Sequence, residues 1–120
     1  MNQKEFNDFI GKVINGEVEI VEYKSKSDVT YTLSYISHRN ALKVFKYLME
    51  VYEPLISGKM SFVGSDEWNK IEELLNSHIL VDSCQISKIP EFWQENRKDY
   101  IRVMLLFICA VSSPFFQDML

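Results

Sequence analysis

The chain opens on a helical pattern. Phe6, Phe9, Ile10 and Val13 recur at three- and four-residue spacings, which predicts an amphipathic helix over 2–13. Asn15 and Gly16 close it, since both tolerate the left-handed backbone of a helix stop. The period then changes to two. Val29, Tyr31, Leu33 and Tyr35 alternate with Thr30, Thr32 and Ser34, predicting a strand whose apolar face, Tyr31 and Tyr35 included, turns to the core. Residues 17–23 supply a partner strand, with Val18 and Ile20 opposite Glu17 and Glu19. Its alternation slips at Val21, which implies a bulge or an early bend. The polar run 24–28 between them reads as a hairpin loop. A lone hairpin is marginal in water, so helices must supply an apolar layer beneath it.

Helical spacing returns over 38–53, where Leu42, Phe45, Leu48 and Tyr52 form a stripe that Val44, Val51 and Leu55 widen. Glu53-Pro54 and then Gly58 predict a stop or kink. Ser65, followed by Asp66 and Glu67, has the form of a capped helix start, and Trp68, Ile71, Leu74 and Leu75 carry an inward stripe to about Asn76. Residues 79–82 fit either a short strand or an extended connector. Pro90 suits the first turn of a long last helix marked by Trp93, Tyr100, Ile101, Met104, Leu105 and Ile108, ending near Ser112-Ser113-Pro114. The pattern has no repeat and no linker. It predicts one α+β domain over 1–120, an N-terminal helix and β-hairpin packed on a bundle of about three further helices.

Composition narrows the function. At 120 residues and 47% apolar content, the chain is sized for a single domain with a real core. A net charge of −4 argues against a nucleic-acid binder, whose affinity would come from Lys and Arg on phosphates. Lys24, Lys26, Lys43 and Lys46 are too few for that role. Two cysteines without a CxxC spacing point to a reducing, cytoplasmic setting rather than a disulfide framework. The longest apolar run, 103–111, has nine residues where a membrane helix needs about 20, so no span is expected.

Candidate chemistry is sparse. The sequence has no GxxxxGK[ST], GxGxxG or GxSxG, and no cofactor is implied. His38, His78, Cys84 and Cys109 lack the paired short spacings of a zinc site, so no metal is expected. Cys84 with His78 could form a nucleophile–base pair only if the fold joined them. Glu72 and Glu73, adjacent on a helix, point to different sides and cannot make a close dyad. The reading is therefore non-enzymatic. One segment is unusual: over 101–120 only Arg102 and Asp118 are charged. Either this stretch packs internally, or it leaves an apolar surface for a partner or for a homo-oligomer.

Taken in order, several features resemble the small tail assembly chaperones of long-tailed bacteriophages. They are the strand Tyr31-Thr32-Leu33, the helix from Ala41-Leu42 to Glu53-Pro54-Leu55, and Trp68 with Ile71-Glu72-Glu73-Leu74-Leu75. Ile79-Leu80-Val81, Phe92-Trp93, Tyr100-Ile101 and a Pro114-Phe115-Phe116 ending complete the series. The resemblance covers about residues 29–120 and leaves the first helix unplaced. It implies a protein that binds the tape-measure protein, tail tube subunits or both in the host cytoplasm, with no nucleic acid and no membrane. Trp93, Phe107, Phe115, Phe116 and Leu120 have the local character to contact such a client. The alternative is a small acidic inhibitor of a host enzyme or defence nuclease, in which Glu17, Glu19, Glu22, Glu50 and Glu53 would cluster to fill a basic channel.

Overall fold

A computed structural model describes residues 2–119. It is an α+β fold in which an N-terminal helix and a hairpin precede the remaining helices, as the pattern predicts. Helix α1 (Gln3–Ile14) is capped by Asn2, whose side chain accepts from the Glu5 N–H. It buries Phe6, Ile10, Val13 and Ile14, and Gly16 turns the chain away at φ 77°.

The hairpin that follows is shorter than its pattern. Strand β1 is Glu22–Lys24 and β2 is Thr30–Leu33, paired antiparallel with Tyr23 opposite Tyr31. Residues 17–21 are turn and bend rather than strand, so the slip at Val21 marks where the ladder begins. The loop turns at Asp28, left-handed at φ 66°, where an Asp tolerates the strain. Tyr31 is fully buried as expected, but Tyr35 is 86% exposed. Its period-2 position fails because the chain leaves the sheet after Ser34, whose N–H donates to His78 O (2.8 Å), and heads for the next helix cap.

Helix α2 (His38–Ile56), capped by Ser37, carries Pro54 inside its last turn and runs past Glu53 to end at Ile56. One missing N–H removes a single rung, and the rungs beyond it survive: Ser57 N–H to Glu53 O at 3.1 Å and Lys59 N–H to Pro54 O at 2.8 Å. Its buried residues are Ala41, Val44, Tyr47, Leu48 and Val51, while Leu42 stays exposed. Helix α3 (Asp66–Asn76) starts where expected, Ser65 Oγ accepting from the Trp68 N–H.

Residues 79–82 resolve into strand β3 (Ile79–Val81), which pairs with β2 and with a fourth strand, β4 (Cys84–Gln85). The turn between them, Asp82-Ser83, has both φ values positive, 52° and 64°, as a two-residue type I′ hairpin turn needs. The sheet order is β1-β2-β3-β4. Pro90 does not start a long helix. A short helix α4 (Phe92–Glu95), entered through a left-handed Glu91, and a 3₁₀ turn (Arg97–Asp99) precede α5 (Tyr100–Met119). The break lies at Asn96, whose side chain and backbone N–H both donate to Phe92 O. Helix α5 also passes through Pro114 rather than ending before it.

Helix α5 is the axis of the fold, packed against α1, α2 and α3. Val103 to Cys109 are all buried, which explains an apolar stretch with no polar side: every side has a neighbour. Residues 97–117 are long and apolar enough to cross a membrane by length and composition, beyond what the nine-residue run suggests, yet 61% of the most apolar stretch is buried inside this fold.

Candidate functional site

The uncharged C-terminal segment divides between core and surface. Phe107 is fully buried, so it belongs to the packing of α5 and not to a contact surface. Phe115 and Phe116 lie half-buried near the end of α5 and are brought together on Phe45 of α2. Phe115 stacks on it at 5.0 Å between centroids, and Phe116 meets it edge-on at 5.3 Å. His38 adds to the first ring and Tyr52 to the second.

Trp93 joins a different group. It stacks on Tyr31 (5.9 Å) and meets Phe92 and Tyr100 edge-on, and its Nε1–H donates to Asn76 Oδ1 at 3.0 Å. No ring contact among the described residues links the two groups. Leu120 lies outside the described residues.

Beside Phe115 the end of α5 lines a cleft of about 930 Å³. Its walls are the 16–21 bend, the exit of β2 from Leu33 to Ile36, and His38 and Ala41 of α2. Its lining is mixed, apolar at Val18, Ile20, Ile36 and Phe115 and polar at Glu19, Ser34 and Gln117, and Tyr35 and Val21, 86% and 58% exposed, stand at its edge. Below it α5 is tied to the end of α1: Ser113 Oγ–H donates to Ile14 O (3.5 Å), and within α5 Gln117 Nε2–H donates to Ser113 Oγ (3.1 Å). A Cβ at Gly16 would run into the Gln117 side chain, so glycine serves there both for its positive φ and for this approach. The alternation turns Tyr35 to the core and marks Val21 only as a slip, because both lie at strand ends, where exposure depends on the residue at which pairing stops.

The polar groups are occupied structurally. Asp99, buried, accepts at Oδ2 from Ser25 Oγ–H (2.8 Å) and Tyr31 O–H (2.7 Å), fastening the hairpin to the start of α5. Burial above all, and then the hydrogen bond and charge of Asp99, hold the Tyr31 phenol well above its ordinary range. Burial pushes the Cys109 thiol up to about 12, leaving it a small apolar core group. His78 Nδ1 faces Tyr35 O at 3.0 Å and Cys84 Sγ–H contacts Gln85 O, so among the described residues the two side chains are hydrogen-bonded to different backbone oxygens and not to each other. Among the described residues no three His, Cys, Asp or Glu side chains converge as a metal site would need. Glu50 shares the groove between α2 and α3 with Lys43, Lys46 and Lys70, so its charge is interleaved with bases.

The Tyr31 shift fixes an alkaline prediction. A folded-state pKa above the unfolded value favours folding below about pH 10 and is lost as pH rises, because the unfolded phenol then ionises and the folded one does not. Unfolding free energy of the wild type should fall above pH 10 more steeply than that of Tyr31→Phe, by about 1.4 kcal/mol per pH unit. Urea titrations between pH 9 and about 11.5 check this, and parallel curves would contradict it.

Comparison with protein-family models, with curated proteins and with solved structures returns no match for this chain.

Proposed function

We propose that this protein is a non-enzymatic interaction module, a tail assembly chaperone of a long-tailed bacteriophage. It holds helical segments of the tape-measure protein, tail tube subunits or both in the host cytoplasm until the tube polymerises. The observation that carries the reading is the cleft at the end of α5, where apolar Val18, Ile20, Ile36 and Phe115 alternate with polar Glu19, Ser34, His38 and Gln117, and Tyr35 and Val21 are exposed at its edge. A cleft of this kind suits the apolar face of an amphipathic helix, bound in helix-in-groove fashion. Desolvating that face keeps a long helical client from self-association until the tube takes it over.

The site residues follow from the packing. Phe115 forms the wall, Phe116 braces it through Phe45, and Tyr35 and Val21 are the groups free to make contact. Phe107 supports the site from within the core, and Trp93 lies in the other aromatic group.

Co-expression with a tape-measure protein tests the reading. The wild type should keep the client soluble and co-purify with it. Val21→Asp combined with Tyr35→Ser should lose the client while thermal unfolding stays within about 0.5 kcal/mol, because both side chains are exposed. Retention of the client by that variant would sink the cleft as its binding site. Capture of a basic host nuclease instead, weakening steeply with salt, would favour the inhibitor reading.

A further inference from the structure

We infer that strand β1 is a self-complementary edge through which two copies of this chain pair, extending the sheet across a two-fold axis. The inference rests on strand register and charge and is independent of the tail-chaperone reading.

The first step is the direction of the backbone groups. In an antiparallel ladder alternate residues exchange hydrogen bonds with the partner strand, and those between point their N–H and C=O the other way. Leu33 N–H donates to Val21 O (2.8 Å), and Ser25 N–H donates to Val29 O (2.9 Å). The residues of β1 that face β2 are therefore the odd-numbered ones, Tyr23 among them. Glu22 and Lys24 turn their N–H and C=O to the open edge, and both are exposed.

The second step is the register. Outward groups of Glu22 and Lys24 can pair with a second β1 in three symmetric ways. Centring on Glu22 sets two glutamates opposite each other, and centring on Lys24 does the same with two lysines. Centring on Tyr23 sets Glu22 of each copy opposite Lys24 of the other. That register alone uses all four outward N–H groups and places opposite charges face to face in both pairs. The opposite sheet edge offers no such template, because β4 is two residues long and runs straight into the 3₁₀ turn Ile86–Lys88.

The flanking chemistry agrees. Short length, charge, a proline or a bulge protects an edge strand from pairing. Residues 22–24 are short and charged, but they carry no proline, and their one acid and one base are complementary to a second copy rather than repelling it. Lys24 Nζ reaches Asp28 Oδ1 at 2.9 Å, but both side chains are largely exposed, so the lysine is held weakly and can turn to a facing glutamate. The interface is small, and the dimer is accordingly weak and concentration-dependent.

Sedimentation velocity over a concentration series, up to the solubility limit, tests the inference on the full chain. The wild type should show a monomer–dimer equilibrium. Glu22→Lys, which sets lysines opposite lysines, should raise the dimer Kd about tenfold. Adding Lys24→Glu to it reverses both charges and should restore the wild-type Kd. Lys24→Pro removes an outward N–H that β2 does not use and should also abolish the dimer, with the far-UV spectrum unchanged. A wild type monomeric at every concentration overturns the inference. So does a dimer indifferent to Glu22→Lys and Lys24→Pro, or one that the double charge reversal fails to restore.

Discussion

Replacing Phe107 by alanine is expected to lower the unfolding free energy by about 3–5 kcal/mol, as removal of a fully buried phenylalanine does. Phe107 sits in the run from Val103 to Cys109, enclosed by neighbouring helices, and nothing on the surface can close over the void. Phe115→Ala is the contrast. That ring is half-buried and part of its area already faces the cleft, so its loss should cost less than about 2 kcal/mol. Urea unfolding of the two variants separates core from cleft. A Phe107→Ala cost below about 1 kcal/mol would contradict the placement of this residue in the core. The distinction has a practical side, since lost client capture in Phe107→Ala would report unfolding rather than a missing contact.

The second large effect belongs to Asp99. Its alanine variant should be destabilised by about 3–5 kcal/mol, because two buried hydroxyls, those of Ser25 and Tyr31, lose their acceptor together. Asp99→Asn keeps a carbonyl oxygen that can take both bonds and gives up only the charge, so about 1–2 kcal/mol is expected there. The cycle with Tyr31→Phe should be non-additive, the double variant losing less than the sum of the two singles. Thermal unfolding of the four proteins decides it. Strict additivity would mean that the carboxylate and the phenol do not share their energy.

Much of the fold was legible because its signals are local. The period of Phe6, Phe9, Ile10 and Val13, the Ser65 cap and the alternation around Tyr31 depend on neighbours in sequence, and each landed within a residue or two of the observed element. The misreadings concern what distant residues do. Pro54 and Pro114 looked like helix ends, yet surrounding packing carries both helices through them. The Asp82-Ser83 turn lacks the glycine that marks a type I′ hairpin, so β4 left no trace. The break at Asn96 was hidden because its purpose is tertiary: it lets Trp93 lie on Tyr31 and Asp99 reach Ser25. For the same reason the site was legible only as a composition. The uncharged tail was visible in the sequence, whereas its division into buried Phe107 and cleft-lining Phe115 depends on which neighbours cover α5.

The pairing of α1 with α5 has a consequence for synthesis. The first helix buries Phe6, Ile10, Val13 and Ile14 largely against a helix that starts at Tyr100, and its end is fastened to Ser113, ninety-nine positions later. A ribosome makes α1 and α2 long before it makes their cover. Until residue 113 has emerged, the nascent chain carries both apolar stripes in the open, with no complete native arrangement available to it. Folding is therefore completed after translation has passed α5. A pause or truncation anywhere between α3 and residue 113 should yield a sticky, protease-sensitive product rather than a smaller folded domain.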